Sequence, residues 1–239
     1  MRILITNHTL SQLAGTELYV RDVAVALKAR GVEVSAFSPE LGPVATTLSE
    51  HGVFVTDDLA KITEAPDLIH GHHHMETAMA MMHFPQIPAI FVCHGWLPWE
   101  EAPLKHPRIL QYVAVDLPSR DRLVKENGIP EQNVELILNW ADLDRFALRK
   151  TPLPAKPAKA LVFSNTLTVE DCGPLFAACK ARGIELHYAG RKFDRMIAKP
   201  EDILPEYDVV FAIARSAIEA LAVGCAVVLL DAQGVGPMV

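Results

Sequence analysis

The sequence predicts an α/β protein built from two doubly wound parallel sheets, the second one short. Three observations lead there. Short apolar runs alternate with amphipathic stretches from Ile3 onward, a proline-rich break follows Asn139, and the alternation resumes at Ala160. The clearest single unit lies between Asp208 and Asp231. Its two apolar runs, over 209–213 and 226–230, are too short for independent helices and read as strands covered on both faces. Between them Arg215 and Ser216 open a short helix that Gly224 stops.

In chain order, a strand is predicted over 3–6, then a loop through Gly15 and a helix over 16–30. Val20, Val23 and Leu27 form the apolar stripe of that helix, while Arg21, Asp22, Lys28 and Arg30 face water, and Gly31 ends it. Strands over 32–37, 53–55 and 68–70 follow, with a helix over 44–50 between the first two. A Met-rich helix over 76–83, strands over 89–93 and 112–115, a helix over 119–127 and a strand over 134–138 complete the first block. Pro152, Pro154 and Pro157 then mark a linker. The second block holds a strand over 160–163, a helix over 174–182 stopped by Gly183, a strand over 185–188, and the unit around Arg215. The expected division is therefore 1–141, a linker over 142–159, and 160–239.

Composition narrows the function classes. Half of the 239 residues are hydrophobic and 21% are charged, which suits folded domains with sizeable cores. A net charge of -7 argues against nucleic-acid or anionic-membrane partners, which need a basic face. The four cysteines show no paired spacing and read as reduced residues. The amino terminus is too weakly apolar for a signal peptide, and the longest uncharged apolar run, eleven residues over 220–230, is too short to span a membrane. A cytoplasmic, soluble protein is the expectation.

Several residues are placed to carry chemistry. The amides opening the helix at Arg215 and Ser216 would point to the carboxyl edge of the sheet, where anions bind. Glu219 lies one turn into that helix among apolar residues; a carboxylate there needs a partner, and a sugar or ribose hydroxyl is one candidate. In Leu13-Ala14-Gly15-Thr16-Glu17, Gly15 would let backbone amides approach a phosphate or sugar; the alternative is a plain strand-to-helix turn capped by Thr16. The run His70-Gly71-His72-His73-His74 crowds imidazoles at a strand end, but no carboxylate or cysteine stands at a regular ligand spacing, so no metal is expected. His94, at the end of another strand, is either a structural residue or a proton carrier. Trp96 and Trp99 behind it could wall a sugar ring or pack the loop.

Glu219, Ala220, Ala222, Gly224 and Val227 together resemble the nucleotide-sugar signature of retaining glycosyltransferases with the GT-B fold, the family 4-like enzymes. In that pattern two glutamates with seven residues between them flank such a helix start, and the helix runs to Gly-x-Pro-Val. Here Phe211 stands at the first glutamate and Ala226 at the proline. Ala14-Gly15-Thr16-Glu17 is similar to the family's Gly-Gly-x-Glu loop, Asp67-Leu68-Ile69-His70-Gly71-His72 to its Asp-x-Ile-His-x-His strand, and His94-Gly95 to its His-Gly strand end. Asn139-Trp140-Ala141-Asp142 with Phe146 is similar to its crossover between domains. The family's two diphosphate-clamping cations have no counterpart: Ser164-Asn165 and Cys172-Gly173 stand in their places, with Arg191, Lys192 and Arg215 in neighbouring loops.

The resemblance implies two Rossmann-like domains and an enzyme that moves a sugar from a nucleotide-diphosphate sugar to an acceptor hydroxyl, with no cofactor and no metal. It implies a donor contact at Glu219, acceptor-side contacts at Gly15, Thr16, Glu17 and His72, and catalytic roles for His94 and Glu219; Arg215 and Ser216 at the helix start and Arg191 in a neighbouring loop are the further donor-binding candidates. The acceptor would be a saccharide, a lipid-linked sugar or another hydroxyl compound. The alternatives are a non-catalytic nucleotide-sugar binding protein, or subunit of a larger transferase, and a sugar-nucleotide epimerase of the same shape. Residues 160–239 are short for such a domain, as in a shortened or truncated form, and an open sheet edge there would favour self-association.

Overall fold

The computed structural model describes residues 1–232 and 234–238. The chain forms two compact units, Met1–Leu138 and one that begins at Asn139. In the first, the strands are β1 (Arg2–Thr6), β2 (Glu33–Phe37), β3 (Phe54–Thr56), β4 (Leu68–His72), β5 (Ala89–Cys93), β6 (Ile109–Ala114) and β7 (Val134–Leu136). They lie in the order β3-β2-β1-β4-β5-β6-β7, every neighbouring pair parallel. The helices are α1 (Gly15–Ala29), α2 (Pro43–Glu50), α3 (His74–His83) and α4 (Leu117–Asp121).

Alternate residues of one strand serve opposite faces. Ile3 and Ile5 pack with Val20 and Ala24 of α1 and with Val44 and Leu48 of α2. Leu4, Ile69 and Phe91 pack on the other face with Ala80, Met81 and Leu123. The chain winds outward from β1 to β3 and then restarts at β4 on the other side of β1. The carboxyl ends of β1 and β4 therefore flank the switch point of the sheet, where ligands of such folds gather.

The second unit repeats the scheme. Its strands β8 (Lys159–Phe163), β9 (Glu185–Ala189), β10 (Val209–Ala212), β11 (Ala226–Asp231) and β12 (Gly234–Met238) lie in the order β12-β11-β10-β8-β9. The helices are α5 (Gly173–Ala181), α6 (Pro200–Ile203) and α7 (Ala214–Val223). The switch point falls between β8 and β10, and α7 starts there. Residues 142–158 hold no helix or strand. They are nonetheless anchored: Phe146 is buried in the core beneath α7, Arg145 pairs with Glu201, and Arg149 reaches Asp208 and the Tyr207 carbonyl.

Two local departures from the expected elements have physical causes. The helix expected over 119–127 ends at Asp121 and continues as a wider π turn over Arg122–Glu126. The wider turn accommodates two adjacent inward residues, Arg122 and Leu123. β12 is an unexpected strand, antiparallel to β11, and makes the second sheet mixed. It covers the edge that β11 would otherwise leave open. In the tail over 233–239, Gln233 and Val239 lie outside the described residues. Among the described residues no helix is long and apolar enough to cross a membrane.

Candidate active site

At the switch point of the first sheet, β4 runs two residues further than expected. His72 N–H donates to Thr6 Oγ1 (3.1 Å), which stitches β4 to the end of β1. His70 and His72 share one face of β4, and Gly71 between them faces α3. A Cβ on Gly71 would lie 2.4 Å from Thr77 Oγ1, so only glycine lets α3 seat this closely. The histidines join end to end. His70 Nδ1 is 2.8 Å from His72 Nε2, and His72 Nδ1 is 2.6 Å from His94 Nε2 at the end of β5. The rings of His72 and His94 are nearly parallel, 17° apart with centroids at 4.9 Å, as an edge-to-edge bond between ring nitrogens requires. Tyr19 of α1 sets its ring edge-on against both.

These imidazoles are neutral at ordinary pH. Burial, and then the neighbouring ring of His94, lowers His70 to about 4. Burial likewise lowers His94 to about 4, and it drives His72 well below its usual value. Burial raises the Tyr19 hydroxyl to about 12, so it stays protonated. His72 is fully buried, whereas His70 and His94 are partly exposed.

A second, charged layer supports the first. Buried Glu101 accepts the His94 backbone N–H at Oε2 (2.8 Å) and faces His73 Nε2 across 3.4 Å. Burial opposes charge on both partners. The mutual hydrogen bond and attraction outweigh it, raising His73 above its usual value and holding Glu101 below the carboxylate range. His73 holds a left-handed φ of 62° as it opens α3, a strained conformation that the pairing helps fix. Arg122 donates to the carbonyls of Gly95 and Pro98, pinning the loop behind His94. Trp96 and Trp99 on that loop are exposed, and Trp99 meets the His74 ring edge-on.

The glycine loop adjoins this cluster. Gly15 opens α1, and a Cβ there would meet nothing within 4 Å, so its side of the loop is open. Thr16 is not the cap that a plain turn would require. Ala14 holds the cap position without a side-chain bond, and the Thr16 hydroxyl donates to Glu17 Oε2 (2.9 Å) instead. Glu17 is buried and adds to the negative field on His73. Tyr19 and Glu101 escaped the sequence reading. Neither belongs to a motif named from the sequence; the only signal was the proximity of each to one, Tyr19 to the glycine loop and Glu101 to His94.

In the second unit, α7 opens at Ala214 with a left-handed φ of 50° and no side-chain cap at Ile213. The buried Glu219 carboxylate, for which a sugar hydroxyl was one candidate partner, meets a guanidinium: Arg215 Nε donates to its Oε1 at 2.8 Å, one turn earlier on the helix. Ser216 beside them is partly exposed. Arg191 lies in a short turn after β9, exposed, with its backbone N–H on Asn165 Oδ1 (3.0 Å). Gly190, at φ 130°, permits that approach, since a Cβ there would sit 1.9 Å from the Ser164 carbonyl oxygen. The turn thereby brings Arg191 beside the cation-free Ser164-Asn165 strand end. Lys192 follows it in the same turn, also exposed. Among the described residues, no group of three or more His, Cys, Asp or Glu side chains is arranged to hold a metal ion.

Comparison with known proteins agrees with this architecture. No curated protein matches the chain in sequence. A glycosyltransferase from Rickettsia africae is similar in structure, with a TM-score of 0.65 at 14% identity, over 95% of this chain and 78% of that one. Anabaena HepE, solved with UDP and glucose, gives 0.65 at 15% identity, over 95% and 80%. A Listeria monocytogenes chain described as a UDP-N-acetylglucosamine 2-epimerase gives 0.62 at 13%, over 98% and 80%. At such identities the likeness is one of fold, the two Rossmann-like halves of GT-B, here with a short second half. The model of Glycosyltransferase Family 4 matches residues 13–145, more than half of the sequence. That stretch contains the glycine loop, the histidine strand and the His94 strand end, and the chain belongs to Glycosyltransferase Family 4.

Proposed function

We propose that the protein transfers a sugar from a nucleotide-diphosphate sugar to an acceptor hydroxyl. The observation that carries this reading is the buried Arg215–Glu219 pair at the start of α7. A carboxylate held in a fixed direction by a guanidinium is a preorganised acceptor for ribose hydroxyls, and the free amides of α7 suit the diphosphate. Arg191 supplies a further positive group at the same edge of the second sheet, in place of the absent family cations. Charge on the departing diphosphate is then met by these groups, with no step assigned to a metal or cofactor.

Acceptor contacts are assigned to Gly15, Thr16, Glu17 and His94 of the first unit; His72, expected among them, is fully buried with both ring nitrogens bonded to His70 and His94, so it backs His94 and meets no ligand. The neutral His94 ring suits the acceptance of a proton from the incoming hydroxyl. The test is release of free nucleotide from a panel of uridine and guanosine diphosphate sugars, with saccharide and lipid-linked acceptors. Sustained turnover supports transfer. Binding without turnover favours a nucleotide-sugar binding subunit, the reading that the missing cations at Ser164-Asn165 and Cys172 support. A changed donor sugar without acceptor would indicate an epimerase.

A further inference from the structure

We propose that His94, His72 and His70 form a proton relay, which takes the acceptor's hydroxyl proton at His94 Nδ1 and delivers it from His70 Nε2. The inference rests on the transferase reading for the source of the proton, and on the two N···N distances of 2.6 and 2.8 Å for the path. A neutral imidazole has one N–H and one lone pair. His72 uses both of its ring nitrogens within the chain, so its two bonds must run in the same sense, and so must those of its neighbours.

Before transfer, His94 Nε2–H donates to His72 Nδ1, His72 Nε2–H donates to His70 Nδ1, and His70 Nε2 carries the last hydrogen. The acceptor hydroxyl oxygen bonds to the sugar carbon as that carbon's bond to the donor diphosphate breaks, the nucleoside diphosphate leaves with the electron pair, and the hydroxyl proton goes to His94 Nδ1. Each ring then passes its shared hydrogen onward, and His70 Nε2 releases one proton to water. One proton enters and one leaves, and all three rings end neutral in the opposite tautomer. Return to the starting order requires a proton to enter at His70 and one to leave at His94 once product has gone.

The surroundings suit a relay better than a resting charge. Burial disfavours the protonated form of every ring in the chain, His72 most of all. The groups around them are Tyr19 on α1, which stays protonated, and the His73–Glu101 pair and Asp116 on the neighbouring loops. Glu101 holds the His94 backbone N–H and so fixes the end of β5 on which that ring is mounted. The relay ends belong to the two partly exposed residues and its middle to the one fully buried residue.

The test is nuclear magnetic resonance of the whole chain labelled with nitrogen-15 in its histidines. Through-hydrogen-bond couplings between His70 Nδ1 and His72 Nε2, and between His72 Nδ1 and His94 Nε2, are expected, with one tautomer order along the chain. His70→Phe removes the far acceptor and is expected to reverse the tautomer of His94, two rings away. His70→Asn keeps an acceptor oxygen near that place but cannot pass a proton on, so the tautomer order is retained while kcat falls on the order of 100-fold, with nucleotide affinity unchanged. Absent couplings, or a His94 tautomer indifferent to His70→Phe in a folded variant, overturn the relay, as does full turnover in His70→Asn. Failure of the wild-type chain to turn over any donor would instead reject the transferase reading.

Discussion

His72 Nδ1 and His94 Nε2 lie 2.6 Å apart, joining the end of β4 to the end of β5 by a bond between two side chains rather than by the sheet ladder. The bond exists only while at least one of the facing nitrogens is unprotonated. Acid is therefore expected to act on the fold at this point. His70 and His94 have native values near 4 against the usual 6.5, so the unfolded chain binds protons that the native chain refuses. Stability is then greatest above pH 6.5 and falls as pH drops from 6.5 towards 4, by about 3 kcal/mol for each ring at 1.36 kcal/mol per pH unit. Urea unfolding at stepped pH measures this; a midpoint that is flat across the window would show that these rings are not held neutral.

Glu101→Gln is expected to destabilise the first unit by about 3 kcal/mol where both partners are charged, because it leaves His73 without its buried counter-ion. The Glu101 contribution is present above its usual 4.5 and is lost as pH falls through its lowered native value. The His73 contribution is present below its usual 6.5 and is lost as pH rises through its raised native value. The cost of the substitution should thus be largest between 4.5 and 6.5, read as a difference in unfolding midpoint between variant and wild type.

Gly190→Ala is expected to cost about 1–3 kcal/mol through its left-handed φ alone, and more through the collision with the Ser164 carbonyl. It should also weaken nucleotide binding, by displacing the turn that carries Arg191. A variant as stable as wild type would mean that this turn adapts freely.

Arg191→Ala separates charge from scaffold. The side chain is exposed, and affinity for uridine diphosphate should fall about ten-fold or more if its charge-assisted bonds are lost, with the unfolding midpoint read alongside. Calorimetry with uridine diphosphate against uridine distinguishes a phosphate contact, which affects only the first, from a general effect on the site.

Much of the fold was legible because its signals are local. The apolar runs over 89–93 and 226–230 and the stop at Gly224 are set by burial and backbone preference within a few residues. The histidine chain was not legible. His70 and His72 are visibly on one face of a strand, but their link to His94 depends on β4 and β5 being neighbours, which strand order decides. Tyr19 reaches the same rings only because β1, which α1 follows, lies on the other side of β4. The Arg215–Glu219 pair illustrates a signal that was present and read differently: their four-residue spacing on a helix already places them together. β12 was missed because its Gly and Pro content argues against a strand, yet an edge position tolerates both.

The most direct test of donor binding at α7 is calorimetric titration of the uridine and guanosine diphosphate sugar panel into wild type and Glu219→Ala. With Glu219→Gln as a control for the lost charge beside Arg215, the expected result is loss of measurable donor binding in Glu219→Ala while its fold, checked by circular dichroism, is kept. Unchanged donor affinity in a folded Glu219→Ala protein would contradict the assignment.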